Sequence, residues 1–201
     1  MANNQYTDEW TNKREKLVEM WGIKNPLFEK RFESSVMRLI ATYGEKASTL
    51  IESKGKVLGA AYEAYIMAFF IGLYANKRLP LSKDADDLKK LGQPIQFWGN
   101  LDSKKNRKAY PQLRNYIFIA LVAKTDIDWI ALDKGEIKAS SVVAKLIETM
   151  EEYANYGFVV MEEKLANDPG YFYSNRSFLD IFLQLTEDSC IDVQDEDAEP
   201  L

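Results

Sequence analysis

The sequence predicts an all-α fold: a compact, bundle-like domain of six or seven helices over residues 1–186, arranged around a central apolar helix at 57–75. A disordered acidic tail is expected at 187–201. Three observations carry this reading. Apolar residues recur at three- and four-residue spacing along most of the chain, residues that start and stop helices punctuate the pattern at short intervals, and Val57–Ala75 is apolar apart from Glu63. With 201 residues, 46% of them hydrophobic and 12% aromatic, the chain can bury one sizeable core.

The first helix is expected to start at Thr7, followed by Asp8 and Glu9 at the positive end of the helix dipole. Trp10, Leu17 and Trp21 then share a face, and Gly22 closes it. Asn25 is placed to cap a second helix, with Pro26 at its first position, where a missing N–H costs nothing. Phe28, Phe32, Val36, Leu39, Ile40 and Tyr43 follow at helical spacing, and Ala47, Leu50 and Ile51 resume the pattern after Gly44.

Val57–Ala75 is about the length that spans a bilayer, yet it reads as a core helix. Glu63 lies inside it, tyrosines are spread along it, and Lys54, Lys56, Lys77 and Arg78 flank both ends, so there is no positive-inside asymmetry. Ala60, Ala64, Ala68, Gly72 and Ala75 form a stripe of small residues against which another helix can approach closely.

Leu79–Pro80–Leu81 ends that helix, and Ser82 is expected to cap a short polar helix through Leu91, terminated by Gly92. Residues 94–100 are too short and irregular to assign, with an extended edge as the one reading offered. Pro111 starts a segment with Leu113, Tyr116, Ile117, Ala120 and Leu121 on one side that reads as helix, although YIFIALVA equally fits a buried strand, and a short helix is expected over 126–134, ended by Gly135. Ser140 or Ser141 is expected to cap the longest helix. Its stripe of Val143, Leu146, Ile147, Met150, Tyr153, Ala154, Gly157, Phe158, Met161 and Leu165 stops at Asn167–Asp168–Pro169–Gly170. The last helix is expected over 176–185, after which 187–201 holds seven acidic residues and no basic one.

Composition excludes several chemistries. Without histidine there is no Ser/His/Asp or Cys/His nucleophile pair and no imidazole ligand, and the single Cys190 makes neither an internal disulfide nor a cysteine-ligated cluster. No phosphate loop or dinucleotide fingerprint is present, so no cofactor is expected. Asp126, Asp128 and Glu136–Ile137–Lys138 loosely imitate a magnesium-nuclease set, which requires a central strand. A surface turn is the simpler reading, and no metal site is assigned. Glu148, Glu152, Glu162 and Glu163 read as a solvated helix face. Glu63 reads as a carboxylate satisfied near the rim of the core rather than a proton-transfer group. The polar, acidic amino terminus and the lone cysteine predict a cytoplasmic protein with no membrane attachment.

The net charge of −5 hides strong polarisation. Between Lys77 and Arg114 stand ten Lys or Arg against four Asp, densest at Ser103–Lys108 and flanked by Phe97, Trp98 and Tyr110. Cations can hold phosphates and aromatic rings can stack on bases, so Lys104, Lys105, Arg107, Lys108 and Arg114 are the candidate nucleic-acid contacts. An apolar helix, an extended piece containing Gly92-x-x-x-x-x-Trp98-Gly99, another helix and a late amphipathic helix follow in that order. This layout resembles small helical subunits of bacterial DNA-modification and phage-defence systems, and no functional residue is carried over from it.

The expectation is a non-enzymatic interaction protein with a protein partner, an accessory subunit of a larger cytosolic assembly. Nucleic-acid binding through 77–114 is the second reading and a metal-dependent hydrolase the third.

Overall fold

The computed structural model describes residues 13–41, 57–99, 109–110 and 112–196, with side chains as far as Glu187. These residues form seven helical segments and one two-stranded sheet, as the all-α expectation requires in the main. The chain divides into two compact units. The first comprises residues 1–26 and 90–150, the second 27–89 and 151–201.

In the first unit, helix α1, described over 13–22, buries Leu17 and Trp21 as the spacing predicts, while the expected start at Thr7 and Trp10 lie outside the described residues. Helix α4 (Leu113–Lys124) resolves the ambiguous YIFIALVA stretch as helix, with Ile117, Phe118 and Leu121 buried. The rings of Trp21 and Phe118 meet edge to face with centroids 5.5 Å apart, an arrangement the ring quadrupoles favour. Helix α5 (Trp129–Asp133) starts on Asp128, whose carboxylate accepts the Ala131 N–H at 2.8 Å, and Gly135 at φ +77° follows its end. Residues 94–99 do not form an extended edge, and Asn100 lies outside the described residues. Ile95–Phe97 is a single 3-10 turn that buries Ile95, and Trp98 Nε1 donates to the Gln93 carbonyl at 3.1 Å.

In the second unit the structure corrects two expectations. No helix starts at Asn25 and Pro26; Leu27–Glu29 is instead strand β1, paired with β2 (Leu88–Lys90). The groups a helix start would use are engaged elsewhere. Leu27 N–H donates to Glu151 at 2.7 Å and Lys30 N–H to the Asp87 carbonyl at 2.7 Å. The Asn25 amide, within the first unit, donates to the Leu91 carbonyl at 2.6 Å. Helical backbone begins only with α2 (31–40), π-helical over Glu33–Met37 and α-helical over Arg38–Ile40, and it buries Phe32, Val36, Met37 and Ile40. Leu39 is exposed, and the expectations at Tyr43, Gly44, Ala47, Leu50 and Ile51 lie outside the described residues. Similarly, Ser82 does not cap a helix reaching Leu91. Asp84 caps one 3-10 turn, Ala85–Asp87, and the chain then pairs as β2, so tertiary pairing overrides the local signal.

The centre of this unit is helix α3 (Ala61–Ala75), which buries Tyr62, Ala64, Tyr65, Ile66, Ala68, Phe69, Ile71 and Gly72. It starts later than predicted, because Leu58 bridges to Ala41 and Gly59 N–H is held by the Glu63 carboxylate at 2.8 Å. Its end is set by Asn76 at φ 51°, where the Asn76 and Lys77 N–H groups close back on the Leu73 and Gly72 carbonyls, both at 3.1 Å. No helix among the described residues is long and apolar enough to cross a membrane.

Helix α6 (Ala139–Asn167) is the longest, and the boundary between the units falls within it. It begins at Ala139, so Ser140 and Ser141 lie inside its first turn instead of capping it. In the second unit Phe158 sits among Phe32, Tyr65 and Phe28, with ring centroids 5.1, 5.8 and 6.5 Å away. Helix α7 (Ser177–Glu196) packs Phe182 against Tyr74, its centroid 5.4 Å away. It is described as far as Glu196, and residues 197–201 of the acidic stretch lie outside the described residues. Between Ser177 and Pro200 the chain has no glycine or proline to break a helix, and acidic residues alone do not end one.

Candidate functional site

The catalytic candidates do not assemble. Glu63 is occupied by the Gly59 N–H, Asp128 by its cap, and residues 136–138 form turn and coil rather than the strand a magnesium nuclease requires. No group of three or more potential metal-ligating side chains forms among the described residues. Acidic residues on the long helix hold cations from neighbouring segments: Glu162 accepts from Arg31 at 2.6 Å, and Glu152 lies 3.6 Å from Arg78.

The basic stretch is only partly described, since Lys104, Lys105, Arg107 and Lys108 lie outside the described residues. Of the remainder, Lys89 donates to Glu33 at 2.5 Å, and the Arg114 guanidinium donates to the Gln96 carbonyl. Trp98 is buried with its indole N–H bonded inside its own unit, so it offers no face for a base, whereas Phe97 and Tyr110 are exposed.

Two electrostatic centres in the second unit are structural. Burial disfavours the charged form of Glu29. Hydrogen bonds from Arg31 at 2.8 Å and Asn155 at 3.1 Å, the charge of Arg31 and the Ser82 N–H outweigh that penalty and hold its pKa below the usual carboxylate value. The hydrogen bond from Lys89, opposed by partial burial and joined by Arg38 at 2.5 Å, lowers that of Glu33. Burial, reinforced by the charge of Glu151, raises the Tyr65 phenol well above its ordinary value.

The surface feature that stands out is a groove of about 460 Å³ in the first unit. Helix α4 supplies Phe118, Ile119 and Val122, α5 supplies Trp129 and Leu132, Leu17 comes from α1, and Ile137 and Ala139 follow. Polar groups on its rim come from α1 as Lys13, Arg14 and Lys16, opposed by Asp133. Lys13 Nζ lies 2.6 Å from the Asp133 carboxylate and ties α1 to α5. Ile119 in this lining is 54% exposed, and Tyr116 on α4 and Ile130 on α5 are exposed as well (63% and 68%).

The groove follows from local sequence rules. Tyr116, Ile119 and Val122 recur every third residue, on the side of α4 next to the face that buries Ile117, Phe118 and Leu121. Helix α4 therefore carries more apolar surface than its own unit covers. The sequence signal was present as the run YIFIALVA, apolar on too many sides for a one-faced surface helix. No family model, no curated protein and no solved structure matches the chain.

Proposed function

We propose that the protein is a non-enzymatic interaction protein, an accessory subunit of a larger cytoplasmic assembly, and that the groove between α1, α4 and α5 is its docking surface. The carrying observation is the apolar lining of the groove, in which Ile119 is 54% exposed, with exposed Tyr116 three residues before it on the same helix. Exposed apolar surface that continues beyond a cavity is the usual mark of a protein-binding face. The Trp21–Phe118 contact and the Asp128 cap support the helices that wall it.

The test is co-purification of the tagged full chain from its native source beside two variants, Ile119→Glu in the groove and Leu183→Glu on α7. Both side chains are about half exposed, so both variants are expected to fold, and their unfolding curves check it. The proposal expects a partner retained by Leu183→Glu and lost from Ile119→Glu. Equal recovery by both variants contradicts it. Nucleic acid recovered in place of a protein, released by salt and lost when Lys104, Lys105, Arg107 and Lys108 become Ala, favours the second reading instead.

A further inference from the structure

We infer that the occupant of the groove is an amphipathic helix whose apolar face is flanked by acidic residues. This rests on the docking role proposed above and adds the chemistry of the partner.

The first argument is charge. The lining carries Lys13, Arg14 and Lys16 against Asp133 alone, and Lys13 neutralises Asp133 at 2.6 Å. Arg14 and Lys16, both exposed, leave that rim positive although the protein as a whole is at −5. A cationic edge beside an apolar floor complements an apolar surface bordered by carboxylates and repels one bordered by lysines.

The second argument is shape. Tyr116, Ile119 and Val122 form a ridge along α4 of about 9 Å at the helical rise of 1.5 Å per residue. A small amphiphile seated in the cavity leaves Tyr116 in water, whereas a helix two or three turns long, laid along α4, covers it too. The walls of the groove are helices and the non-helical link after α5, with no strand among them, so an extended peptide finds no strand edge to join there. Side-chain packing of a helix into the groove is the recognition mode that remains.

The experiment titrates the full-length protein with two fluorescent synthetic peptides of about five turns. They share one leucine face at i, i+3, i+4 and i+7 spacing, flanked by Glu in one and by Lys in its twin. The binding counted is the part lost in Ile119→Glu, which removes adsorption elsewhere on an acidic protein. The acidic peptide is expected to bind at least tenfold more tightly than its twin at low ionic strength, with the advantage shrinking as salt is raised. Arg14→Glu combined with Lys16→Glu is expected to reverse the preference. Equal binding of the twins, both lost in Ile119→Glu, overturns the acidic partner and leaves the docking surface standing. Binding of neither peptide overturns both, and saturable binding of decanoate in their place assigns the groove to a small amphiphile.

Discussion

Gly157 on α6 lies against the main-chain carbonyl of Ala68 on α3, so close that a Cβ at Gly157 would overlap the carbonyl oxygen. The contact is reciprocal one turn away, where a Cβ on Gly72 would overlap the Tyr153 carbonyl. Residues 68 and 72 thus face 157 and 153 in reverse order, and the two helices cross antiparallel with backbone against backbone. Gly157→Ala is therefore expected to destabilise the protein by about 2 kcal/mol or more. The overlap outweighs the roughly 1 kcal/mol that alanine gains over glycine in a helix interior. Chemical denaturation measures it, and adding Gly72→Ala is expected to cost less than the sum of the single changes, since one displaced crossing relieves both overlaps.

Asn155 is buried, and its amide donates to Glu29 and to the Leu79 and Pro80 carbonyls at 3.1, 3.3 and 3.1 Å. It ties the segment after α3 to the long helix. Asn155→Leu is expected to lower stability by about 1–3 kcal/mol, because the acceptors lose their donor within the unit. Faster proteolysis or hydrogen exchange confined to 77–84 would accompany it.

Glu29 and Glu33 titrate below the usual carboxylate value in the folded protein. A depressed folded pKa stabilises fully above the unfolded value, near 4.3 for glutamate, and the contribution is lost as pH falls through the folded pKa. The urea midpoint is expected to hold from pH 7 to about 5 and to fall below about pH 4. Glu29→Gln with Glu33→Gln is expected to be less stable at pH 7 and to lose less between pH 5 and 3. Parallel curves for the two proteins would contradict this.

Asp128→Ala removes the cap of a helix that is only Trp129–Asp133 long and forms one wall of the groove. The cost is expected to be about 1 kcal/mol, and it falls on α5 specifically. Amides of 129–134 are expected to exchange faster while those of α6 do not. Uniformly faster exchange would mean that α5 does not move independently.

Much of the helical framework was legible from spacing: the buried faces of α1, α3 and α6, the Asp168–Gly170 stop and the small-residue stripe that becomes the α3–α6 crossing. What misled local reading were residues whose partners lie far along the chain. Asn25 and Pro26 carry the chemistry of a helix start, yet Leu27 N–H is taken by Glu151 and Asn25 by Leu91. Trp98 resembled a stacking platform because no sequence pattern reveals that its indole N–H bonds Gln93 inside the core. The groove was legible only as an excess of apolar residues on 116–122. Its cationic rim comes from residues 13–16, a hundred or more positions earlier in the chain, so it emerges only when α1 and α4 share a unit.

The most direct test of the docking role is hydrogen exchange on the full-length protein, alone and in complex with the protein that co-purifies with it. Docking in the groove predicts slowed exchange over 13–17, 116–122 and 129–137 in the complex. Unchanged exchange in those three segments, with protection appearing elsewhere on the chain, would contradict it.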